Sequence, residues 1–408
     1  MTIEQIRSKF PQLQETVYGK PLVYLDNAAT TMRLDASVAK WNEVSLHTNA
    51  NLHRAVHRMA NLATEAYEGA RKAVADYLGA DPREIVFTSG TTASLNLLAF
   101  SLGESGLLKD GDEIIITESE HHSDIVPWQL LTGRKGLKIK VLPVDKNGKT
   151  DLSTLKRMLS SRTRLCCVAQ VSNVLGLVNP VKEIASICHA AGCLVCVDGA
   201  QAVAHLRVDV RELDCDFYAF SAHKIYAAPG VGVLYGRFSL LQQLAPWQGG
   251  GEMIETVKWG GTTFAQPPYR FEAGTQNISG VPALVPALEF LKKTLADKEL
   301  LENQENIKAF LLDELQRIPG LRLYGVPENP SEKVSLFSFS IKGVHHEDLA
   351  LILDKMGVAV RSGQMCAEPL MDRFGVTGML RASFAPYNSL QEAQYFTDSL
   401  KKAVTMLK

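Results

Sequence analysis

The sequence predicts an α/β protein with a mostly parallel sheet in a large domain, followed by a small α+β domain. Over the first two thirds of the chain, short apolar runs alternate with stretches of helical periodicity. This alternation is typical of βαβ units, which build parallel sheets covered by helices on both faces. The pattern then changes to sparser strands and amphipathic helices. We expect residues 22–293 to form the large domain, and residues 1–21 with 294–408 to form the small one.

Seven apolar runs are the candidate strands of the large sheet: Glu84–Thr88, Glu113–Thr117, Lys138–Pro143, Leu165–Val171, Leu194–Val197, Asp216–Phe220 and Gly232–Tyr235. Helical patterns fill most of the gaps, for example Thr92–Leu102, Asp151–Leu159 and Val181–Ala190. The stretch from Pro246 to Gly274 is rich in Gly, Pro and Thr, which predicts a long arm outside the core.

Two helices are predicted at about residues 282–293 and 297–317, and the small domain begins between them. It contains a half-buried strand at Leu336–Ile341, a helix at His345–Met356, strands at Val358–Arg361 and Leu380–Ala385, and a C-terminal amphipathic helix. We expect the first twenty or so residues to form a helix that packs with this domain.

Charge and cysteine content narrow the class of protein. The 408 residues carry a formal net charge of −1 without strong charge runs, so neither a nucleic-acid nor a membrane-surface partner is indicated. Seven dispersed cysteines, an odd number, favour a reducing compartment over a disulfide framework. We find no signal-peptide pattern and no apolar stretch of bilayer length. A cytoplasmic protein is therefore expected.

Two polar segments follow neighbouring candidate strands. Asp198-Gly-Ala-Gln201 comes after Leu194–Val197, and Ser221-Ala-His-Lys224 comes after Phe217–Phe220. Ligands bind at this edge of open parallel sheets. The segments suit pyridoxal phosphate, because a lysine can form a Schiff base with the aldehyde and a carboxylate can keep the pyridine nitrogen protonated. A solvated lysine and a helix N-cap would explain each segment alone, but the pair favours the cofactor.

Ser89-Gly-Thr-Thr92 is a candidate phosphate cradle, because it ends a strand and opens a helix. Free backbone N–H groups and the helix dipole favour an anion there, and the hydroxyls of Thr91 and Thr92 add donors. An ordinary N-cap is the alternative. No Walker lysine follows and no Gly-x-Gly-x-x-Gly follows a strand, so nucleotide-binding folds are poorly supported.

Glu120-His-His122 follows another strand, and an imidazole there could stack on a flat cofactor ring. A metal-ligand pair and an exposed pair are the alternatives. Arg361 and Arg381 each lie on a predicted strand of the small domain, where a guanidinium can bind a carboxylate with two parallel hydrogen bonds. Surface ion pairing is the alternative for both.

Cys366 differs from the other cysteines. It lies in a turn-rich loop after a strand, with Arg361 as a source of positive charge, and reactive thiols need exposure and such charge. The remaining six, Cys166, Cys167, Cys188, Cys193, Cys196 and Cys215, are expected to be structural. Cys188-His189 with Cys193 and Cys196 resembles zinc spacing only superficially, since its members fall on different predicted elements. We expect no metal site.

Taken together, the chain resembles the SufS-type cysteine desulfurases, a branch of the class V aminotransferase-fold enzymes that includes selenocysteine lyases. The resemblance runs nearly end to end through the segments Tyr24–Ala29, His53–His57, Gly90–Thr92, Glu120–His122, Val171–Gly176, Val197–Gln201, Phe220–Lys224, Phe271–Thr275 and Arg361–Pro369. It implies an aspartate aminotransferase-like, pyridoxal-phosphate-dependent transferase fold with a seven-stranded, mostly parallel sheet.

The resemblance also implies roles for individual residues. The cofactor would be held by Lys224 as the Schiff-base lysine, Asp198 at the pyridine nitrogen, Gln201 at the ring hydroxyl, His121 stacked on the ring, Thr91, Thr92, Ser221 and His223 at the phosphate, and Thr275 reaching in from a second subunit. The substrate carboxylate would be bound by Asn173, Arg361 and Arg381. Cys366 would accept the sulfur, and the catalytic residues would be Cys366, Lys224 and His121.

The implied activity converts L-cysteine to L-alanine with a persulfide on Cys366 and supplies sulfur for iron–sulfur cluster assembly. The implied partners are a second copy of the chain, a small sulfur acceptor of the SufE or SufU type, and Suf scaffold proteins. Gln364 and Met365 stand where some family members have histidine, so the activation of the thiol stays open. Alternatives are a selenocysteine lyase acting on L-selenocysteine, another class V aminotransferase or lyase, and a non-catalytic sulfur carrier.

Overall fold

The computed structural model describes residues 1–408. Its strands are β1 (Thr16–Val17), β2 (Lys20–Pro21), β3 (Val23–Tyr24), β4 (Ile85–Thr88), β5 (Glu113–Thr117), β6 (Lys138–Leu142), β7 (Thr163–Ala169), β8 (Leu194–Asp198), β9 (Phe217–Ser221), β10 (Gly232–Gly236), β11 (Ile254–Lys258), β12 (Gly261–Phe264), β13 (Leu321–Tyr324), β14 (Leu336–Ile341), β15 (Val358–Ala359), β16 (Arg361–Gly363) and β17 (Met379–Ser383).

The α-helices are α1 (Ile3–Arg7), α2 (Asp35–Glu43), α3 (Arg58–Leu78), α4 (Thr91–Glu104), α5 (Val126–Lys135), α6 (Leu152–Met158), α7 (Val181–Ala190), α8 (Val210–Leu213), α9 (Phe238–Leu241), α10 (Leu284–Thr294), α11 (Lys298–Gln316), α12 (His346–Lys355), α13 (Glu368–Phe374) and α14 (Leu390–Leu407). Short 3₁₀ turns cover Pro11–Gln14, Pro82–Glu84, His122–Asp124, Ala222–Lys224, Tyr269–Phe271 and Pro330–Glu332, and one π-helical turn covers Val44–Thr48.

The seven predicted strands form one sheet, in the order β4-β10-β9-β8-β7-β5-β6. Only β10 is antiparallel to its neighbours, β4 and β9. The α/β class and the mostly parallel sheet are therefore confirmed. β8 and β9 are parallel neighbours with Asp198 opposite Ala219, so the two polar segments leave the sheet side by side.

Alternate side chains of the central strands face two separate apolar cores. In β7, Cys166 and Val168 lie in the larger core, whereas Leu165 and Cys167 lie in the smaller one on the other face. Helices α3, α7 and α10 cover the first core, and α4 and α5 cover the second. Burial on both faces explains why these strands read as continuous apolar runs.

The predicted N-terminal helix of about twenty residues is wrong. α1 has five residues, and the chain turns at Pro11 into a 3₁₀ turn and the β1–β2 hairpin. Proline has no N–H and disfavours helical backbone in the residue before it, and Phe10 accordingly has φ −125° and ψ 83°. Phe10 packs in the larger core, while Arg7 donates to Glu392 of α14, so this segment touches both parts of the molecule. The expected domain boundaries stay a prediction.

The small α+β part holds an antiparallel sheet in the order β13-β14-β17-β16, packed against α11, α12 and α14. The strand predicted at Val358–Arg361 is divided in two: β15 pairs with β3, and β16 pairs with β17. The Pro246–Gly274 arm carries the exposed β11–β12 hairpin. None of the helices is both long enough and apolar enough to cross a membrane.

Candidate active site

A cavity of about 240 Å³ opens where β4, β5, β7, β8 and β9 end, and the small sheet closes it from one side. Of the predicted site residues it brings together Thr91, Thr92, His121, Asn173, Asp198, Gln201, Ser221, His223, Lys224, Arg361, Cys366 and Arg381. Thr275 is exposed and does not line the cavity. These predicted site residues thus lie together at one edge of the sheet, as expected for an open α/β fold.

Asp198 and Lys224 are the central acid and base of this cavity. Asp198 is buried, and its Oδ1 accepts a hydrogen bond from the backbone N–H of Ala200 at 2.8 Å. Burial raises the pKa of Asp198, although the positive charge of Lys224 acts against that rise. Burial likewise lowers the pKa of Lys224, with Asp198 opposing the change. A lowered pKa favours the neutral, nucleophilic amine.

Gly199 explains how Asp198 and Gln201 can leave β8 so tightly. A Cβ at Gly199 would lie 2.1 Å from ring atoms of Tyr218, so only glycine permits this approach. Gln201 then reaches Ala28, whose carbonyl accepts from its Nε2 at 2.7 Å. Ala28 and its neighbour Ala29 line the cavity and were not predicted, although they belong to a segment that carried the resemblance.

The N-terminus of α4 forms the polar end of the cavity. Gly90 precedes the helix and offers no side-chain cap. The N–H of Thr91 instead donates to Ser221 Oγ at 2.7 Å, and the Thr91 hydroxyl lies 2.7 Å from the same oxygen. The hydroxyl of Thr92 pairs with Ser123 at 2.7 Å. Backbone N–H groups, hydroxyls and the helix dipole together suit a phosphate group.

Two imidazoles of the cavity are neutral near pH 7. Burial, assisted by the nearby Lys224, lowers the pKa of His121 to about 4 and that of His223 to about 4. His121 Nδ1 accepts from the N–H of Ser123 at 3.0 Å, so the proton of the neutral ring lies on Nε2. His223 Nδ1 pairs with Thr30 Oγ1 at 3.2 Å.

The strand register places Arg361 of β16 directly opposite Arg381 of β17. Like charges in that position repel each other. Arg381 is buried and pairs with Asp26 at 3.2 Å, and its Nη1 donates to the carbonyl of Asn173 at 2.8 Å. Asp26 was not predicted, although it lies just past the end of β3, much as Asp198 lies at the end of β8. Two guanidinium groups with one carboxylate partner leave a positive pocket that suits an anionic carboxylate.

Cys366 is the exposed cysteine of the chain, and the other six are buried. Its carbonyl accepts from the N–H of His122 at 2.7 Å, and Asn173 Nδ2 donates to the carbonyl of the preceding Met365 at 2.7 Å. The side chains of Lys224, Arg361 and Arg381 line the same cavity as this cysteine.

The side chains of Cys188, His189, Cys193 and Cys196, whose spacing resembles that of zinc ligands, do not come together at one point. Cys188 and Cys193 lie in the larger core, whereas Cys196 lies in the smaller core on the other face of the sheet. His189 pairs with Asp214 and Asp216 instead. These contacts agree with structural roles for the segment.

Residues 23–396 match the family described as Aminotransferase class-V. The chain is 43% identical over 407 residues to the cysteine desulfurase of Serratia proteamaculans (strain 568), covering 99% of each. It is 41% identical over 409 residues to the probable cysteine desulfurase of Vibrio cholerae serotype O1, covering 100% of each.

Solved structures agree with these relatives. The cysteine desulfurase CsdA from Escherichia coli matches with a TM-score of 0.90 and 37% identity, covering 100% of both chains. The apo cysteine desulfurase from Thermococcus onnurineus NA1 matches with a TM-score of 0.91 and 37% identity, over 97% of this chain and 98% of that one.

The residues present fit pyridoxal 5'-phosphate: a phosphate cradle at α4, a buried carboxylate and a lysine with a lowered pKa share one cavity. The resemblance seen in the sequence is thereby confirmed. The chain belongs to the class V aminotransferase family, has pyridoxal 5'-phosphate as its cofactor, and is a cysteine desulfurase of the SufS/CsdA type.

Proposed function

We propose that the enzyme transfers the sulfur of L-cysteine to Cys366 as a persulfide and releases L-alanine. The observation that carries this proposal is the position of Cys366, an exposed thiol in the same cavity as Lys224 and Asp198. An aminotransferase would use the lysine and the aspartate but would have no need of the thiol.

The cofactor, when bound, supplies an electron sink next to the substrate α-carbon. We propose that Thr91, Thr92, Ser221 and His223 hold its phosphate, with Thr275 from a second copy of the chain. Asp198 holds the ring nitrogen, Gln201 the ring hydroxyl, and His121 the ring face. Lys224 is the residue that would attach to the cofactor as a Schiff base.

The substrate is oriented by its charges. Arg361 and Arg381 bind the α-carboxylate, and Asn173 lies beside them. The neutral amine of Lys224 takes the α-proton. The Cys366 thiolate then attacks the substrate sulfur, so that a sulfur–sulfur bond forms while the carbon–sulfur bond breaks. The three-carbon fragment keeps that electron pair, takes up one proton at its β-carbon, regains the α-proton from Lys224 and leaves as alanine. His121, with its proton on Nε2, is the proposed donor.

Replacing Cys366 by Ala tests the proposal. With L-cysteine and a reductant, we expect the wild type to release sulfide and alanine in equal amounts, and the C366A variant to lose both products. Sulfide and alanine are measured in the same reaction, and the absorbance of bound cofactor shows that the site is intact. Full activity in C366A would contradict the role given to this thiol.

Cys193→Ala is a matched control. Cys193 is buried just before β8, at the opposite end of that strand from Asp198. The substitution removes a thiol of the same kind outside the cavity, and we expect the ratio and rate of both products to stay close to wild type.

We further propose that Cys366 passes its sulfur to a small acceptor protein of the SufE or SufU type, and through Suf scaffold proteins to iron–sulfur cluster assembly. The exposure of Cys366 supports this transfer. Addition of such an acceptor should accelerate alanine formation, and transfer of labelled sulfur to the acceptor is the measurement.

The same site is proposed to accept L-selenocysteine, since selenium leaves more readily than sulfur; C366A should then keep selenide release while it loses sulfide release.

We also propose that the enzyme is a homodimer and works in the cytoplasm. Seven free thiols support a reducing compartment, and cell fractionation tests it.

A further inference from the structure

The loop that carries Cys366 has a backbone that must be held in place by its surroundings. Met365 and Cys366 are consecutive residues with positive φ, 56° and 55°. This left-handed region is disfavoured for residues with a Cβ, and two such residues in succession do not persist without outside contacts. The position of the thiol therefore depends on what contacts this loop.

Two contacts hold Met365: an apolar cluster around its side chain and a hydrogen bond from Asn173. The side chain of Met365 is buried in a cluster with Leu175, Leu370 and Phe374. Asn173 Nδ2 donates to the Met365 carbonyl at 2.7 Å. Both contacts act on Met365, and on the far side of Cys366 the same cluster takes in the side chains of Ala367 and Leu370.

His122 contacts the loop on both sides of the thiol. Its backbone N–H donates to the Cys366 carbonyl at 2.7 Å. Its ring Nε2 accepts from the N–H of Glu368 at 3.0 Å. Glu368 is the first residue of α13, whose N-cap, Ala367, has no side chain that could cap the helix. The His122 ring supplies this cap from another element.

The same short segment also faces the cofactor site. His121, the preceding residue, lines the cavity and is fixed by the N–H of Ser123 at 3.0 Å. The backbone of residues 121–123 therefore joins a cofactor-facing ring to the cysteine loop through His122. We propose that His122 is a positioning residue, which clamps the loop at Cys366 and Glu368 and so sets where the thiol stands relative to the cofactor site.

This inference rests on the proposed function, since it concerns the thiol assigned to persulfide formation. His122→Ala removes the ring acceptor and keeps the backbone contact. His122→Gln offers an amide oxygen at about the reach of Nε2, so it can accept from Glu368 again. His345→Ala is the matched control, because His345 Nδ1 accepts a backbone N–H at the start of α12, from Glu347 at 3.3 Å, away from the cavity.

Three readouts are compared on the cofactor-loaded protein. In H122A, hydrogen exchange of the peptide 364–370 and alkylation of Cys366 by iodoacetamide should each become about fivefold faster, the scale expected for one lost hydrogen bond. The kcat for alanine should fall by a similar factor with KM and the cofactor absorbance unchanged. H122Q should recover most of each change, and H345A should match the wild type.

The results separate this inference from the proposed function. If exchange and alkylation in H122A equal those of the wild type, the clamp is wrong, whatever the activity. Loss of cofactor absorbance in both His122 variants would also overturn it, because the residue would then act on the cofactor site. If the wild type makes no alanine but the loop opens in H122A and closes in H122Q, the clamp stands and the proposed reaction fails.

Discussion

The side chain of Glu120 shows how a single residue's charge depends on where the fold puts it. It is fully buried, and its Oε1 accepts from the Thr117 hydroxyl and from the Ala169 N–H at 2.8 Å. Neither its Oε2 nor Oδ2 of the buried Asp124 accepts a hydrogen bond from an N–H or hydroxyl group, and the two carboxyl groups lie within hydrogen-bond reach of each other. Burial raises the pKa of both carboxyl groups, so the folded protein keeps protons there that the unfolded chain releases.

This raised pKa predicts a stability that depends on pH. The unfolded Glu120 loses its proton near pH 4.5, whereas the folded one keeps it to higher pH, so its contribution to stability falls as pH rises above about 4.5. In the Glu120→Gln variant, the part of the stability loss with rising pH that comes from this residue should disappear. Melting temperatures of both proteins between about pH 5 and 8 check it. Parallel curves would mean that Glu120 is ionised in the folded protein.

At the scale of secondary-structure elements, the phosphate cradle depends on how closely β10 approaches the start of α4. A Cβ at Gly232 would lie 2.4 Å from the Cα and 2.5 Å from the N of Gly90. Both are backbone atoms, which cannot rotate away. The absence of a side chain at Gly232 of β10 therefore allows Gly90 to approach the strand, which lets the N–H of Thr91 reach Ser221.

Gly232→Ala should consequently displace the α4 N-terminus. We expect a loss of about 1–3 kcal/mol in stability, typical of an overpacked site, together with weaker retention of the cofactor. Thermal unfolding and the absorbance of bound cofactor measure the two effects. Gly69→Ala is the control: it lies exposed within α3 with open space around its Cβ position, and there alanine should stabilise by about 0.5–1 kcal/mol. Equal behaviour of the two variants would contradict the close-approach argument.

For the molecule as a whole, the small sheet is joined to the large one at the edge of the active site. Three consecutive carbonyls after β7 accept from side chains of the small part: Asn173 from Arg381, Val174 from Ser338 and Leu175 from Lys333. Lys333 is buried, and burial lowers its pKa to about 7. These contacts fix Asn173 and Arg381 relative to each other, and through Met365 they also reach the cysteine loop.

The exposed surface predicts an oligomer. Large apolar side chains are exposed mainly in two stretches, residues 38–59 with Val38, Trp41, Leu46, Val56 and Met59, and the arm with Val257, Trp259, Phe264 and Tyr269. Extended exposed apolar surface commonly marks an interface. Sedimentation equilibrium should give twice the chain mass, and Leu46→Glu with Val56→Glu should lower that mass. A wild type that sediments only as a monomer would contradict the homodimer and the role proposed for Thr275.

Much of this molecule could be predicted from sequence because its strands are buried on both faces. The runs at Leu194–Val197 and Phe217–Phe220 are apolar throughout, so strands, polar ends and sheet edge followed from them. The N-terminal helix failed for a local reason that was visible in the sequence, since Pro11 interrupts it. The break between β15 and β16 had no such signal, because it depends on pairing with β3 and β17.

The sequence by itself determined the sheet, the cavity edge and the chemical groups at that edge, because the apolar runs and the residues that follow each run are local properties. Only the tertiary structure decided how these groups are partnered. Asp26 beside Arg381, the ring of His122 on Glu368, and Gly232 against Gly90 are contacts between residues more than one hundred positions apart in the chain. Their physical basis is packing and burial, which no short stretch of sequence encodes.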